Sequence, residues 1–394
     1  SPQGKQHAAS SSQELSMEYG RKNPFPATIK EAYCLARDNV KETNHYIVDI
    51  ANSGLEYKPG DSLGLFPHND PGLVDELLQK LSASGEEGVE LKRKGEFTFR
   101  EALMEHLTIH RANRKFLKPL IAKLPANDRK ELERLLSDRT ALDQYLNVRD
   151  YIDILGEYPT AKFTPQEFAD SVGGITPRLY SIASAPGTHP GEVHLTVAVV
   201  RDNSFERDRA GLATGFLADR VTVDETHVPV FIQPTRGFVI PEDGSRDIIM
   251  VGPGTGIAPF RAVLEQREMD GGKGRNWLIF GEWFEKTTFF YEDEFRAWQE
   301  SGVLTRLDTA FSRDQDKKIY VQHRLQQAAA EVWKWLDEGA YFYVCGDKDY
   351  MAKDVHQALI DIAQEQGGLS EEEAEHYVNR TLMKEEKRYL RDVY

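Results

Sequence analysis

The sequence predicts a multidomain β and α/β protein: a β-domain interrupted by a helical insertion, then a doubly wound parallel sheet. Two blocks, residues 23–71 and 174–244, cluster β-branched and aromatic residues between Gly, Pro, Asn and Asp breakers. Between them, residues 72–173 place Leu at three- and four-residue spacings, the period of an amphipathic helix. From 245 to 394, apolar runs alternate with helical patterns, as in a sheet of parallel strands wrapped by helices.

Residues 1–22 open with "SPQGKQHAASSSQELS", small and polar, which reads as a linker or a cut edge. "HYIVDIANSGLEYKPGDSLGLFP" then reads as two strands joined by a turn at Tyr57-Lys58-Pro59-Gly60-Asp61. The stretches "PGLVDELLQKL", "TFREALMEHL", "RKFLKPLIAKL" and "DRKELERLLS" carry the helical period of the insertion. Strand signals return in "RLYSIAS", "EVHLTVAVV" and "VPVFIQP". In the last block "DIIMV", "NWLIFG", "LTRLDTAFS" and "AYFYVCG" are each followed by a helical pattern, and in such sheets ligands bind beyond the carboxyl ends of the strands.

The 49 basic and 64 acidic residues leave a formal charge of -15, which argues against nucleic-acid binding and for a surface able to dock a basic partner. Cys34 and Cys345 are the two cysteines, too far apart in sequence for a CxxC metal site, so a reducing compartment, the cytoplasm, is expected. No apolar run reaches the roughly 20 residues of a membrane span, so no membrane association is expected.

Gly252-Pro253-Gly254-Thr255-Gly256 follows the first strand of the α/β block and opens a helix. Such a turn either holds a diphosphate at the helix N-terminus or simply connects strand to helix tightly. "FSRDQDKKIYVQ" offers Ser312, Arg313, Lys318 and Tyr320 at the end of the third strand, suited to a phosphomonoester with an aromatic ring beside it, or to a solvated charged loop. "RLYSIAS" alternates Arg178, Tyr180, Ile182 and Ser184 on one side of a regular strand, which ordinary β packing would also explain. "GLATGFL" reads equally as a plain helix start. Cys345, followed by Gly346 and Asp347, ends an apolar strand where a ligand would lie, although a lone thiol is more often structural.

Taken in order, "YKPGD", "RLYSIAS", "GLATGFLADR", "GPGTGIAPFRA", "FSRDQ" with "KIYVQ", "YVCGD" with "MAKDV", and "RDVY" resemble the diflavin reductase branch of the ferredoxin-NADP reductase superfamily. Within it the sequence is most similar to the flavoprotein subunits of NADPH-sulfite reductases, from about Asn23 to Tyr394. The resemblance implies an antiparallel six-stranded FAD-binding barrel, an inserted helical connecting domain and a C-terminal NADP-binding domain. It implies FAD contacts at Arg178, Tyr180, Ser181, Thr196, Val197, Ala198, Gly211, Leu212, Ala213, Thr214 and Tyr394. NADPH contacts are implied at Gly254, Thr255, Ser312, Arg313, Lys318, Tyr320, Gln322, Cys345 and Asp347, and no metal.

The implied reaction is hydride transfer from NADPH to FAD, with Ser181, Cys345 and Asp392 as its catalytic residues. In that reading "RDVY" is the last strand of the sheet and Tyr394 stacks on the flavin. Family members of this branch carry an N-terminal FMN domain, for which this sequence has neither the length nor a phosphate loop near its start. FMN is therefore expected only if a further N-terminal domain exists. The implied partners are an FMN domain or flavodoxin-like carrier and, through it, sulfite reductase haemoprotein. The alternatives are a standalone NADPH reductase for flavodoxin, ferredoxin or a cytochrome, and a non-catalytic flavin-binding docking subunit.

Overall fold

The computed structural model describes residues 18–204 and 207–394. The polar segment read as a linker lies, for residues 1–17, outside the described residues. β1 (Phe25–Cys34), β2 (Thr43–Asp49) and β3 (Ser62–Leu65) come before the helical insertion. Inside the insertion a small hairpin, β4 (Gly88–Leu91) and β5 (Gly95–Thr98), interrupts the helices. β6 (Arg178–Ser181), β7 (Glu192–Ala198), a second hairpin of β8 (Arg201–Ser204) and β9 (Arg207–Ala210), and β10 (Val228–Gln233) follow.

Six of these strands form one antiparallel sheet in the order β6-β3-β10-β1-β2-β7. An Ile182–Leu195 bridge joins its two edges and closes it into a barrel. Period-two alternation points Ala27, Ile29, Val48, Leu63, Val193, Leu195, Val197 and Val230 into one core. β7 is buried on its outer side as well, where His194 and Thr196 meet the other half of the molecule.

The insertion has a core of its own, built by Leu77, Phe99, Leu103, Phe116, Leu120, Tyr151 and Phe168. Capping boxes start three of its helices, Thr98 with Glu101, Asp150 with Asp153, and Thr164 with Glu167. Its exit runs beside its first half: Thr108 N–H donates to the Gly173 carbonyl at 2.8 Å and Ile175 N–H to the His106 carbonyl at 2.8 Å. The β4–β5 hairpin departs from the all-helical expectation. Val89 and Leu91 alternate inward, and Arg93 and Gly95 take the positive φ of a turn, at 68° and 110°.

The remaining strands are β11 (Ile248–Val251), β12 (Asn276–Glu282), β13 (Arg306–Phe311), β14 (Tyr341–Gly346) and β15 (Tyr389–Val393). They are all parallel, in the order β13-β12-β11-β14-β15. Ile249, Val251, Trp277 and Ile279 pack against helices on one face, and Ile248, Met250, Leu278 and Phe280 on the other, so the sheet is doubly wound as expected. The stretch read as one helix after β13 breaks at Ala328 into Val321–Gln327 and Ala329–Asp337. "RDVY" does supply the edge strand β15, which runs parallel to β14.

Candidate functional site

β6 leaves the barrel at Ser181 facing the carboxyl ends of β14 and β15. The Ser181 hydroxyl donates to Asp392 Oδ2 at 3.0 Å, and Cys345 sits opposite Asp392 in the β14–β15 register. Burial pushes the Cys345 thiol well above its ordinary value; the Asp392 carboxylate adds to this and the Ser181 hydroxyl opposes it. Burial likewise raises the Asp392 carboxyl, against the Ser181 hydrogen bond. Residues 181, 345 and 392 therefore form one polar cluster where barrel meets sheet.

The glycine-rich turn packs beside this cluster. A Cβ on Gly256 would lie 2.2 Å from the Cys345 carbonyl oxygen, and one on Gly252 would lie 2.4 Å from the Gly256 carbonyl oxygen. Gly252 is demanded by the packing of the turn itself and Gly256 by its close approach to β14. Gly254 differs: it adopts φ +58° with open space around it, nothing lying closer to a Cβ than Glu282 Oε1 at 3.8 Å. The turn runs through one tight helical stretch, Gly254–Ile257, into the helix Ala258–Asp270. The Thr255 hydroxyl meets the Tyr394 hydroxyl at 3.2 Å. Tyr394 is 63 % exposed, its backbone tied to Gly346 and Lys348.

Two adjoining clefts open from the turn. One, of about 390 Å³, is bordered by Lys41, Thr43, Ala198, Gly254, Thr255, Glu282, Asp347 and Tyr394. The other, of about 510 Å³, is bordered by Gly254, Glu282, Trp283, Ser312, Tyr320, Gln322, Asp347 and Asp354. Arg313 and Lys318, on the segment that follows β13, are exposed and make no ion pair among the described residues. The Arg313 guanidinium stacks 3.7 Å from the Trp283 ring centre, and the Ser312 N–H donates to the Glu282 carbonyl. Gln322 reaches Asp354 at 3.4 Å and Tyr320 stacks on His323. Unpaired cations beside a hydroxyl and an aromatic face suit a phosphorylated nucleotide.

Asp347 borders both clefts, but its carboxylate is engaged locally. It accepts the N–H groups of Asp349, Tyr350 and Met351, which hold it below the ordinary carboxylate range despite partial burial. Its Oδ2 accepts the N–H of Met351, the first residue of the helix Met351–Gly367, and any nucleotide contact it makes shares those oxygens.

On the barrel, Arg178 is exposed and the Tyr180 hydroxyl is buried without a hydrogen-bond partner, its pKa pushed up by burial to about 12. The Arg178 guanidinium lies close enough to the Tyr180 hydroxyl to oppose that rise, and an exposed cation beside a buried phenol suits an elongated polar ligand such as FAD. The strand is shorter than expected: it ends at Ser181, and residues 182–185 are buried rather than alternating. Gly211 and Leu212 border a separate cleft of about 940 Å³ with Arg111, Arg201 and Arg220. Leu212 begins a helix with no side-chain cap, while the Thr214 hydroxyl accepts the Val200 N–H at 3.1 Å and Ala213 is buried. The three β7 candidates separate: Val197 lies in the barrel core, Thr196 faces Tyr291 across the seam, and Ala198 alone borders a cleft.

Sequence reading missed Lys41, Glu282 and Trp283. Lys41, from the barrel, pairs with Glu282 of the parallel sheet and lies 4.0 Å from the Trp283 ring centre, so one cation spans the mouth shared by the two clefts. "FGEW" at the carboxyl end of β12 was the available signal, because ligands gather beyond such strand ends. Lys41 lies in a polar loop with no comparable signal.

Comparison with known proteins identifies the two halves of the chain. Residues 18–216 match the family described as FAD binding domain, and residues 250–357 match the oxidoreductase NAD-binding domain. The chain is 42 % identical over 390 residues to the sulfite reductase [NADPH] flavoprotein alpha-component of Bacillus subtilis, covering 98 % of this chain and 64 % of that protein. It is 43 % identical over 382 residues to the protein of the same name from Mannheimia succiniciproducens, covering 97 % and 63 %. Against that of Vibrio cholerae O1 El Tor it is 43 % identical over 384 residues, covering 97 % and 61 %. The chain thus spans somewhat less than two thirds of the length of the curated relatives it matches. With half of its residues matched by the first of these domains and the second following it, the chain belongs to the FAD binding domain family and joins that domain to an oxidoreductase NAD-binding domain.

Proposed function

We propose that the chain is an NADPH-dependent FAD oxidoreductase module that passes electrons singly to an FMN domain or redox partner, serving sulfite reductase haemoprotein in the cytoplasm. The observation that carries this reading is the Ser181 to Asp392 hydrogen bond beside buried Cys345, at the junction of the FAD and NAD-binding domains. FAD, when bound, takes a hydride with its electron pair from nicotinamide C4, so that NADPH is oxidised to NADP+, and releases the electrons one at a time.

The chain's own residues then have separable tasks. Arg178 and the Tyr180 hydroxyl hold FAD on the barrel side. Arg313 and Lys318 hold the 2′-phosphate of NADPH, and Thr255 its diphosphate. Ser181 hydrogen-bonds at the reacting edge of the flavin, Cys345 packs against the nicotinamide, and the Asp392 carboxylate offsets the positive charge developing on that ring. Tyr394 shields the flavin face until nicotinamide replaces it. Relatives bearing the sulfite reductase name, and two unpaired cysteines 34 and 345, support the acceptor and the compartment.

The test is anaerobic addition of NADPH to the FAD-loaded chain while the flavin absorbance near its visible maximum is followed. Stoichiometric bleaching is expected, with transfer to added sulfite reductase haemoprotein only when an FMN domain is supplied. Flavin that stays oxidised would sink the proposal.

A further inference from the structure

The outer face of β2 and β7 is buried against the NAD-binding half through polar side chains rather than apolar ones. The Tyr291 hydroxyl lies 2.6 Å from Thr196 Oγ1 and 2.8 Å from His45 Nδ1. His45 Nε2 in turn lies 3.0 Å from His194 Nδ1, and His194 Nε2 lies 2.9 Å from Glu192 Oε1. Burial, with the nearby Arg261 charge, lowers His45 to about 2. Burial, opposed by Glu192 and reinforced by Arg261, lowers His194 to about 4. Both rings are therefore neutral at neutral pH and accept as well as donate hydrogen bonds.

Arg261 ties this seam together. It is 5 % exposed and sits in the helix Ala258–Asp270, which continues directly from the turn bearing Thr255. One of its terminal nitrogens donates to the Ala183 carbonyl at 2.8 Å and to His194 Nδ1 at 3.2 Å, both on the barrel. Its Nε donates to both Glu294 carboxylate oxygens, at 3.0 and 3.2 Å. Glu265, from the same helix, accepts the Ala185 N–H at 3.0 Å and binds His189 at 2.6 Å. Tyr291 adopts φ 60°, uncommon for a bulky residue, and its ring lies 5.1 Å from the guanidinium.

His189, Glu192 and His194 also lie close enough to suggest a metal site, their ligand atoms within 4.8 Å of one another. Lys30 already holds Glu192 at 2.9 Å and Arg261 crowds His194, so positive charge opposes a further cation there. The cluster serves the seam instead.

Ala183 closely follows Ser181 on the segment leaving β6, and Gly256 of the turn rests on the Cys345 carbonyl. Arg261 therefore connects the flavin-side hydroxyl and the nucleotide-side turn through two short pieces of backbone, residues 181–183 and 256–261. We propose that Arg261 is a positioning residue for hydride transfer, fixing the spacing between the strand end that carries Ser181 and the turn that carries Thr255. This rests on the reaction proposed above, in which a displacement of about 1 Å at the reacting atoms costs about 100-fold in rate.

Arg261→Lys and Glu294→Gln test it. An ammonium reaches fewer acceptors than a guanidinium, and Glu294, with a side chain 37 % exposed, can be neutralised without emptying the seam. Both variants are compared with wild type for anaerobic flavin reduction by NADPH and by 4-deuterated NADPH, FAD content, 2′,5′-ADP affinity and melting temperature. Amide exchange over residues 181–185 of the flavin-free chain is measured alongside.

The expected result is unchanged FAD content and 2′,5′-ADP affinity, hydride transfer slowed about 10-fold or more in Arg261→Lys and less in Glu294→Gln, and faster exchange at Ala185. Wild-type rates in both variants would overturn the role of Arg261 alone, as would slowing matched by equal loss of bound FAD. Wild-type protein that NADPH fails to reduce would overturn the reaction, and this inference with it.

Discussion

Ser181 and Asp392 belong to different sheets, yet the hydroxyl of one donates to the carboxylate of the other across 3.0 Å. The contact joins the barrel's β6 to the edge strand of the parallel sheet. Ser181→Ala and Asp392→Asn should each slow NADPH-dependent flavin reduction by about 100-fold. Because they share one hydrogen bond, the double variant should lose much less than the product of the two. Stopped-flow absorbance provides the comparison, and fully multiplicative losses would show that the pair does not act together.

Asp392 also predicts a pH dependence of stability. Its folded pKa is raised above 3.8 by burial, so the folded chain holds that proton more tightly than the unfolded chain. The stabilisation gained from protonation is present in full below 3.8 and is lost as pH rises through the raised value. Asp392→Asn should therefore melt no lower than wild type at pH 7. Its advantage should shrink on acidification, which calorimetry at several pH values can follow.

Arg313→Ala should weaken binding of 2′,5′-ADP by about 30-fold while leaving 5′-AMP nearly unaffected, because only the former carries the phosphate that the exposed guanidinium would grip. Titration calorimetry reads both. Equal weakening would move the 2′-phosphate site elsewhere.

The glycines of the turn should not tolerate substitution equally. Gly256→Ala drives a methyl into the Cys345 carbonyl, 2.2 Å away, and should cost about 3 kcal/mol. Gly254→Ala meets no close neighbour and suffers mainly from φ +58°, about 1 kcal/mol. Urea denaturation followed by circular dichroism would rank them.

Tyr394→Ala should change the melting temperature little, since the ring is 63 % exposed. It should nevertheless alter the visible spectrum of bound FAD and relax discrimination against NADH. An unchanged spectrum would leave the ring with no flavin contact to account for.

Much of this architecture was legible because it repeats. Alternation along β2 and β7, helical spacing in the insertion and four strand–helix units each offer several residues that agree. The β4–β5 hairpin was lost among helices because two strands of four residues give too little alternation to outweigh their neighbours. "RLYSIAS" suggested a longer strand because its pattern continues past Ser181, where the chain in fact turns inward. The turn glycines were found for a different reason than packing gives: Gly252 and Gly256 are fixed by contacts within the turn and with β14. The seam of His45, His194, Arg261 and Tyr291 was invisible, since no local spacing links four residues drawn from separate elements. Thr196 was singled out on family grounds, but its hydroxyl belongs to that seam.

The barrel's β3–β6 pairing matches Leu65 with Arg178 and Ser62 with Ser181, partners separated by the entire helical insertion. Closing so long a loop as loose chain would be slow. The insertion can collapse first around its own Phe and Leu core, and in doing so shortens the effective tether between the two halves of the barrel. The Ser181 to Asp392 contact needs β6 paired with β3 and β15 paired with β14, so it can form only once both sheets are in place.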